Sequence, residues 1–431
     1  MTTTINNKHK KLNFSSEREQ SQACLNSAEH EKNQGRKVLN VPNLRFPEFQ
    51  GEWEKCVLEN LSTEIGDGIH ATPLYDDNGT YYFVNGNNIS EYGITVTPTT
   101  QRVTEAEAYR NNANILCSKT ILLSINGTIG NVALYKSEPI MLGKSACYIN
   151  VSTKVNKDYI FHYLMMPKCQ FYFTSELTGT TIKNLSLKSV RRTKVSLPNL
   201  KEQNRIAQLF DAINERIVTQ NKIIEDLKKL KSAIIENHYN QTEKQTASIA
   251  DLGEPFSVGN LAKDDLTETG MPCVVYGELF TTYGETISQI ESHTNKTTGM
   301  IMSKKGDLLF PSSTTVDAMS LIAPSVINVD GVILGGDMFG IHINHNYNAQ
   351  YLSYYFNHIA KRQLAKFAKG STIIHLHYAD IEKAKLLLPS LEEQNRMAKC
   401  LVSLDNKVSV EQNFLGSLTC QKSYLLKQMF I

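Results

Sequence analysis

The sequence contains no apolar run that approaches the roughly 18 residues needed for a membrane-spanning helix. Its first forty residues are polar and lack the apolar middle of a signal peptide. We therefore expect a cytosolic protein with a flexible polar tail at residues 1–40. No two cysteines form a CxxC pair, and no Cys/His spacing indicates a zinc site. The eight cysteines are expected to be reduced and mostly buried thiols.

Signatures of catalysis are also missing from the sequence. It has no GxxxxGK[ST] phosphate loop, which argues against an ATPase. No strand followed by a glycine-rich turn, a helix and an acidic residue indicates a nucleotide or methyl-donor pocket. The Asn-Pro-Pro-aromatic signature of amino-methylating DNA methyltransferases is absent, and no Ser/His/Asp or Cys/His arrangement stands out. We expect a chain that is not an enzyme and that binds no cofactor itself.

The chain does contain an internal repeat. Residues 197–207 (LPNLKEQNRIA) match residues 388–398 (LPSLEEQNRMA) at eight of eleven positions, with an offset of 191 residues. The same offset places the sequence GTTI of residues 179–182 over GSTI of residues 370–373. Glycines and apolar residues are shared, as a common backbone and core require, whereas the polar residues between them differ. Two copies of one scaffold with different surfaces indicate two related but non-identical binding roles.

A long helix with a heptad pattern is predicted after each matched segment. Apolar residues recur at alternating steps of four and three, which is typical of a coiled-coil seam. The seam positions are Ile206, Phe210, Ile213, Ile217, Gln220, Ile224, Leu227, Lys231 and Ile234 in the first copy, and Met397, Leu401, Leu404, Val408, Glu411, Leu415, Leu418, Lys422 and Leu425 in the second. An amphipathic helix that packs on its own domain would also carry one apolar face. The identical interruptions in two long heptads favour packing of the helices on each other.

The polar seam positions predict an antiparallel pair. Gln220 and Glu411 are each fifth of nine, so reversal of one helix sets the amide opposite the carboxylate, to which it can donate. A parallel pair would stack Lys231 on Lys422, whereas the antiparallel pair leaves each lysine near an end, with its ammonium group in water. A rod of about 38 residues would be about 57 Å long. Two heads on it could reach separate half-sites on one face of a duplex, whose turn is about 34 Å.

Each long helix follows a head of short β-type runs and one aromatic-rich helix, which predicts an α/β (α+β) fold with an irregular sheet. The predicted strands are Thr80–Val84, Thr120–Ile125, Val132–Tyr135, Ala146–Val151, Cys273–Tyr276, Asp307–Phe310 and Gly340–Ile343, and the predicted helices are Asp158–Leu177 and Ala349–Lys369. The predicted division is a tail (1–40), head 1 (41–196), a first long helix (197–240), head 2 (241–387) and a second long helix (388–431).

Candidate DNA contacts cluster late in each head. The net charge of +2 excludes a uniformly basic coat but not a local basic surface. Cations there could neutralise phosphates, and amide or hydroxyl side chains could address base edges. The candidates are Lys183, Asn184, Lys188, Arg191 and Arg192 in head 1, and Lys366, Lys369, Thr372, His375 and His377 in head 2. Basic stretches are also typical of ordinary solvated surfaces, and that alternative stays open.

Two polar loops occupy similar places in the two heads and add further candidates. Asn126 and Thr128 lie in the first loop, and Ser312 and Thr314 in the second. Glycine and small hydroxyl side chains permit close approach to a backbone or a groove, but an ordinary turn explains these loops equally well. His375 and His377 would share one face of a strand, yet no third ligand indicates a metal site.

Taken together, these features resemble the specificity subunit of type I restriction-modification systems. The resemblance extends from Leu44 to Ile431. It rests on the opening Leu-Arg-Phe-Pro with Trp53, on the GTTI and GSTI segments, and on the repeated Leu-Pro-x-Leu-x-Glu-Gln-Asn-Arg before a long helix. It implies that the heads are target recognition domains and that the helices are antiparallel spacers.

The resemblance also implies partners. These are double-stranded DNA, two methyltransferase subunits and motor–nuclease restriction subunits, with S-adenosylmethionine, ATP and magnesium bound to the partners rather than to this chain. It implies recognition of a bipartite, asymmetric target and no association with a membrane. Two other readings of the residues are a non-DNA scaffold with two ligand-binding heads on a coiled rod, and an enzyme with an unrecognised site in the heads.

Overall fold

The computed structural model describes residues 39–111, 113–179 and 183–431. The tail predicted at residues 1–40 therefore lies outside the described residues, except for its last two positions. Two compact units are present: one extends to Asp211 and includes Ser423–Ile431, and the other is Ala212–Lys422. No helix within the described ranges is long and apolar enough to cross a membrane.

The first unit contains head 1. Its strands are β1 (Glu54–Val57), β2 (Ser62–Asp67), β3 (Tyr81–Val84), β4 (Ile89–Ser90), β5 (Gly93–Ile94), β6 (Arg102–Val103), β7 (Thr120–Ser124), β8 (Val132–Leu134), β9 (Ile140–Leu142), β10 (Ala146–Val151), β11 (Leu177–Thr178), β12 (Asn184–Leu185) and β13 (Lys194–Leu197). Its helices are α1 (Glu105–Arg110), α2 (Lys157–Met165), α3 (Pro167–Ser175) and α4 (Leu187–Arg191). The long helix α5 (Leu200–Gln241) begins in this unit and continues into the other.

The core of head 1 lies on an antiparallel sheet with strand order β2-β10-β7-β8. Every residue of β7 and β10, the two central strands of this sheet, is buried. Trp53 is 3% exposed and packs edge-on against Tyr159 of α2, so the aromatic opening of the chain packs against the head as expected.

The second unit contains head 2. Its strands are β14 (Gln245–Ser248), β15 (Gly253–Ser257), β16 (Leu266–Thr267), β17 (Met271–Val275), β18 (Thr286–Ile287), β19 (Ser292–Thr294), β20 (Ile301–Met302), β21 (Asp307–Pro311), β22 (Ser313–Thr314), β23 (Ser325–Ile327), β24 (Ile333–Gly335), β25 (Met338–Ile343), β26 (Ile374–His375) and β27 (Lys385–Leu388). Its helices are α6 (Glu278–Thr281), α7 (Ala318–Leu321), α8 (Ala349–His358), α9 (Lys361–Leu364), α10 (Tyr378–Ile381) and the long α11 (Leu391–Gln428), which ends in the first unit.

The repeat is visible in strand pairing. Strand β1 pairs antiparallel with β13, Glu54 opposite Leu197. Strand β14 pairs antiparallel with β27, Gln245 opposite Leu388, and both partners are displaced by the same 191 residues. Head 2 is built on two five-stranded sheets, β15-β25-β21-β23-β18 and β16-β19-β17-β24-β20. The expected mixed helix and strand fold with two similar heads and long helices is confirmed.

Each predicted aromatic-rich helix is broken into two. In head 1 the break falls at Met166, which has extended backbone because Pro167 follows and disfavours the helical conformation before it. In head 2 the backbone N–H groups of Ile359 and Ala360 both donate to the Tyr355 carbonyl, and a new helix starts at Lys361. The expectation of mostly buried thiols is wrong: seven cysteines are described, all free, and Cys117, Cys400 and Cys420 are exposed.

The repeated Glu-Gln-Asn-Arg segment fastens each head to the start of its helix. Gln203 is 2% exposed; its Oε1 accepts from the Asn156 backbone N–H at 2.9 Å, and its Nε2 donates to the Pro198 carbonyl at 2.8 Å. Asn156 also caps α2 by accepting from the Tyr159 N–H at 2.8 Å and donates to Asn204 at 2.8 Å. One buried amide therefore fixes the helix, the strand that precedes it and the aromatic helix.

Head 2 repeats this set of contacts. Gln394 is 1% exposed, accepts from the Asn348 N–H at 3.0 Å and donates to the Pro389 carbonyl at 2.9 Å. Asn348 caps α8 by accepting from the Tyr351 N–H at 2.8 Å and donates to Asn395 at 2.7 Å. The identical Gln and Asn residues of the repeat therefore hold each head to the start of its long helix, because their side chains form hydrogen bonds within the protein.

The two long helices run antiparallel. In the first unit the Phe210 ring lies 5.5 Å from the Phe430 ring. In the second unit Gln220 Nε2 donates to the Glu411 side chain and, at 3.1 Å, to the Glu411 carbonyl. Further along α5, His238 contacts Glu393 at 2.9 Å. As the residue number rises along α5, the residue number of the contacting partner falls, which is the antiparallel arrangement. The pairing of Gln220 with Glu411 agrees with the sequence argument.

The seam departs from the heptad at its ends. Ile235 (3% exposed) and Leu426 (6%) are buried, whereas the predicted Ile234 and Leu425 are half-buried. Ile235 belongs to the core around head 2 and Leu426 to the core around head 1, so at these ends the residue after each predicted seam position packs into a head. The expectation that Lys231 and Lys422 reach water is wrong, since these residues are 8% and 5% exposed.

Lys231 is held in a buried cluster of charges between α5, α11 and head 2. Its Nζ lies 2.8 Å from Asp405 Oδ1 and 3.0 Å from Glu285 Oε1. His358 Nε2 lies 2.9 Å from Glu285 Oε1, and the Tyr354 hydroxyl donates to Asp405. Burial alone would raise the pKa of Glu285, but the His358 hydrogen bond and the Lys231 charge outweigh it and hold that pKa at about 2.

Stability should therefore depend on the ionisation of Glu285. A carboxyl with a lower pKa in the folded chain stabilises the fold above its unfolded pKa, and that contribution is lost as the pH falls from 4.5 toward about 2. The displacement corresponds to on the order of 3 kcal/mol. We expect Glu285→Gln to unfold at a lower temperature than the wild type at neutral pH, with the difference narrowing from about pH 5 to pH 3. Glu268→Gln, at an exposed carboxylate, is the control, and a constant difference would contradict the assignment.

The polar pair in the seam should cost stability. Replacing Gln220 and Glu411 together by Leu should raise the unfolding temperature, because an apolar pair needs no hydrogen bonds in a half-buried layer. Gln220→Leu alone should lower the unfolding temperature slightly, since Glu411 loses one partner and keeps its ion pair with Lys407 at 2.5 Å. Thr219→Leu on the exposed face is the control in thermal unfolding. A double variant less stable than the single variant would overturn this account.

Candidate nucleic-acid interface

In head 1 the backbone brings two of the predicted stretches together. The loop that follows β7 carries Asn126 and Thr128, and Asn126 forms an antiparallel bridge with Asn184 of β12. The Leu185 N–H donates to the Ile125 carbonyl at 2.9 Å. The Thr128 hydroxyl donates to the Gly86 carbonyl at 2.8 Å, so this side chain holds the loop in place. Asn126 and Asn184 therefore lie side by side at the edge of head 1.

Head 2 places its own candidates in the same relation. Ser313 of β22 pairs with His375 of β26, and the Leu376 N–H donates to the Ser312 carbonyl at 2.9 Å. Leu376 and His375 are offset by 191 residues from Leu185 and Asn184. The two heads thus share one backbone junction between loop and ribbon, but they present different side chains at it.

The candidates differ in how much of their surface is open. Ser312 is 3% exposed, so its side chain serves the junction and is not a surface contact. Asn126, Asn184, Arg191, Thr314 and His375 are half-buried. The exposed candidates are Thr128, Lys183, Lys188, Arg192, Lys366, Lys369, Thr372 and His377.

Two of the cationic candidates have partners within the protein. Arg191 Nη2 donates to the Ile65 carbonyl at 2.6 Å, and its Nε lies 4.0 Å from Glu59. Lys369 Nζ lies 2.5 Å from Asp380 Oδ1, and this contact, together with the His377 N–H, lowers the pKa of Asp380. Arg191 consequently stabilises head 1, whereas Lys188 and Arg192 extend from the same short helix and its end into solvent.

The GSTI segment of head 2 forms the tip of a narrow hairpin. Lys369 and His375 exchange two backbone hydrogen bonds, of 2.9 and 2.7 Å. Gly370 has φ +113°, and a Cβ atom there would lie 2.1 Å from the Ile373 carbonyl oxygen, so only glycine fits. In head 1, Gly179 also has a positive φ, of +92°. The next three residues of its GTTI segment, 180–182, lie outside the described residues.

A cleft of about 810 Å³ opens beside this hairpin in head 2. Thr314 and His375 line it, with Lys361 as a cation. Sequence reasoning did not assign most of the lining to the site, because these residues belong to no motif: Tyr276, Phe280, Thr281, Tyr283, Val316 and Asp337. Ile373 lies in the GSTI segment, which the sequence argument used only for the repeat and the resemblance. Hydroxyl, imidazole and ammonium groups beside apolar ones suit contacts with nucleic-acid edges and phosphates.

The two histidines of the hairpin region stack on each other. The rings of His375 and His377 lie 6.0 Å apart and are nearly parallel. Within the part of the chain that the structure describes, no three His, Cys, Asp or Glu side chains come together as metal ligands. The described candidates thus offer groups that bind polar and anionic surfaces.

Comparison with known proteins connects this geometry to a family. Residues 51–229 and 242–418 each match the family model described as type I restriction modification DNA specificity domain. The chain belongs to this family. Its two matches cover the two heads with most of their long helices, which agrees with the internal repeat and confirms the resemblance read from the sequence.

Individual relatives agree with the family. The chain is 24% identical over 338 residues to the type I restriction enzyme MjaVIII specificity subunit of Methanocaldococcus jannaschii, covering 72% of this chain and 76% of that protein. It is 21% identical over 400 residues to the putative MjaX specificity subunit of the same organism, covering 87% and 92%. In structure it is similar to the S subunit of a type I system from M. genitalium, with TM-score 0.57, 18% identity, and coverage of 91% and 99%.

Family membership settles the class of activity. Specificity subunits of type I restriction systems are non-catalytic, so the expectation that this chain is not an enzyme is confirmed by its relatives. The general role of the family is recognition of a DNA target, to which the exposed polar residues of the two heads are suited.

Replacement of the exposed cations Lys188 and Arg192 should affect DNA binding, whereas replacement of the hydrogen-bonded Arg191 should affect stability. We predict that Lys188 and Arg192 each contact one phosphate, so Lys188→Ala or Arg192→Ala should weaken duplex binding about equally for all sequences and lower the salt slope by roughly one. Arg191→Ala should instead lower the unfolding temperature, since the Ile65 carbonyl loses its donor. Binding titrations over a range of salt and thermal unfolding separate the two. A changed target motif at an unchanged salt slope would contradict the phosphate role.

Proposed function

We propose that this chain reads a bipartite, asymmetric DNA target, one half with each head, and directs two methyltransferase subunits and motor–nuclease subunits to it. In this proposal the tail is 1–40, the target recognition domains are 41–196 and 241–387, and the spacer helices are 197–240 and 388–431. S-adenosylmethionine, ATP and magnesium are bound by the partner subunits.

One observation carries the proposal. Both heads use the same backbone junction, yet Asn126 and Asn184 stand in head 1 where Ser313 and His375 stand in head 2. The half-buried Asn184 amide in head 1 and His375 imidazole in head 2 offer different donors and acceptors to base edges, so the two half-sites should differ in sequence. The phosphate contacts of the exposed cations would fix position rather than sequence.

A non-DNA scaffold is the alternative reading of two heads on a helical rod. The family model names a DNA specificity domain for both halves, which supports DNA as the ligand. A solved structure from a type I restriction-modification system, at TM-score 0.51 and 15% identity, supports the fold of the chain and does not bear on its partners.

Methylation mapping in cells that carry the whole system tests the proposal. We expect one methylated motif with two unlike halves separated by a fixed gap. Asn184→Ala should relax or abolish recognition in one half, and His375→Ala in the other, because each side chain belongs to a different head. Asn78→Ala and His345→Ala are matched controls at exposed positions and should leave the motif unchanged. A single continuous palindrome, or both variants changing the same half, would refute the proposal.

A further inference from the structure

Two exposed apolar side chains lie at one end of the ribbon formed by β22 and β26. Thr314 pairs with Ile374, so Val316, two residues after β22, and Ile373, immediately before β26, lie at the same end. Val316 is 74% exposed and Ile373 is 50% exposed. Both line the 810 Å³ cleft of head 2. Large β-branched residues left in water on a short ribbon offer apolar surface to a ligand.

The ribbon that carries them is fixed at its base. Leu376 is fully buried in the core of head 2, and its N–H donates to the Ser312 carbonyl. The two hydrogen bonds between Lys369 and His375 close the hairpin, and Gly370 fixes its turn. The tip residues Ser371, Thr372 and Ile373 are exposed beyond this base. A contact made by Ile373 therefore costs little ordering of the chain.

The surroundings of the tip indicate what such a contact meets. Lys361 lines the cleft, and Lys366 is exposed on the segment that leads into the hairpin, so anionic backbone groups suit this side of its rim, whereas Asp337 lies elsewhere in the lining. A two-stranded ribbon fits the major groove of B-DNA. The apolar group that base edges present in that groove is the C5 methyl of thymine.

We propose that Ile373, supported by Val316, makes head 2 specific for a thymine by packing against its methyl group in the major groove. This inference rests on the proposed function, because it names one base pair within the half-site that head 2 reads. Thr314 and His375, next to these residues on the ribbon, would address the polar edges of the neighbouring base pairs.

Deoxyuridine substitution tests the contact, because it removes the methyl group and keeps base pairing and polar edges. The complex of this subunit with its methyltransferase partner is titrated with a duplex that carries the mapped motif, replacing each thymine of the head 2 half-site in turn. At one position the wild-type complex should bind the uracil duplex roughly fourfold more weakly, the value of one buried methyl group. The Ile373→Ala complex should bind both duplexes equally.

Ile301→Ala is the matched control, because Ile301 is 39% exposed on β20 and is not part of the cleft lining. It should keep the difference between thymine and uracil, and both variants should unfold at the wild-type temperature. A head 2 half-site without thymine, no uracil effect at any position, or an undiminished effect in Ile373→Ala would overturn the inference. Failure of the proposed function is distinguishable, since the wild-type complex would then show no bipartite motif.

Discussion

The buried glutamine at the start of each long helix is the contact on which both units depend. Gln203 and Gln394 each accept from the backbone of the cap residue of an aromatic helix and donate to the carbonyl of the proline before their own helix. A buried amide with fewer partners would carry a desolvation cost of about 1–3 kcal/mol. Because both donor and acceptor are satisfied by backbone groups, the geometry of each head relative to its helix start does not depend on which side chains the head exposes.

Polar groups within the helix pair contribute direction and register more than stability. Gln220 and Glu411 occupy equivalent positions in the repeat and contact each other. In an antiparallel pair of equivalent helices, a residue lies opposite its counterpart only at the midpoint of the pair. The charges around Lys231 add a second constraint, because Glu285 belongs to head 2 and Asp405 to α11. That lysine ties the head to both helices at the cost of burying its own charge and partly burying two carboxylates.

The two heads share backbone pairing but expose different side chains, which explains how one scaffold supports two recognition roles. The strands β1 with β13 and β14 with β27 keep identical registers, and the junction of loop and ribbon recurs in both heads. The side chains at and beyond that junction differ between the heads. Changes at such exposed positions leave the core packing intact, so the surface can differ while the fold is retained.

The sequence by itself determined the repeat, the two long helices, their antiparallel direction and the family, because hydrophobic periodicity and local motifs are readable along one chain. Tertiary structure alone decided which charges are free. Lys231 pairs with acidic groups 54 and 174 residues away, and Arg191 donates to a carbonyl 126 residues away. No local sequence pattern encodes contacts at these distances along the chain. Tertiary structure also decided that Val316 and Ile373 share one end of a ribbon, since strand pairing brings together residues that are distant along the chain.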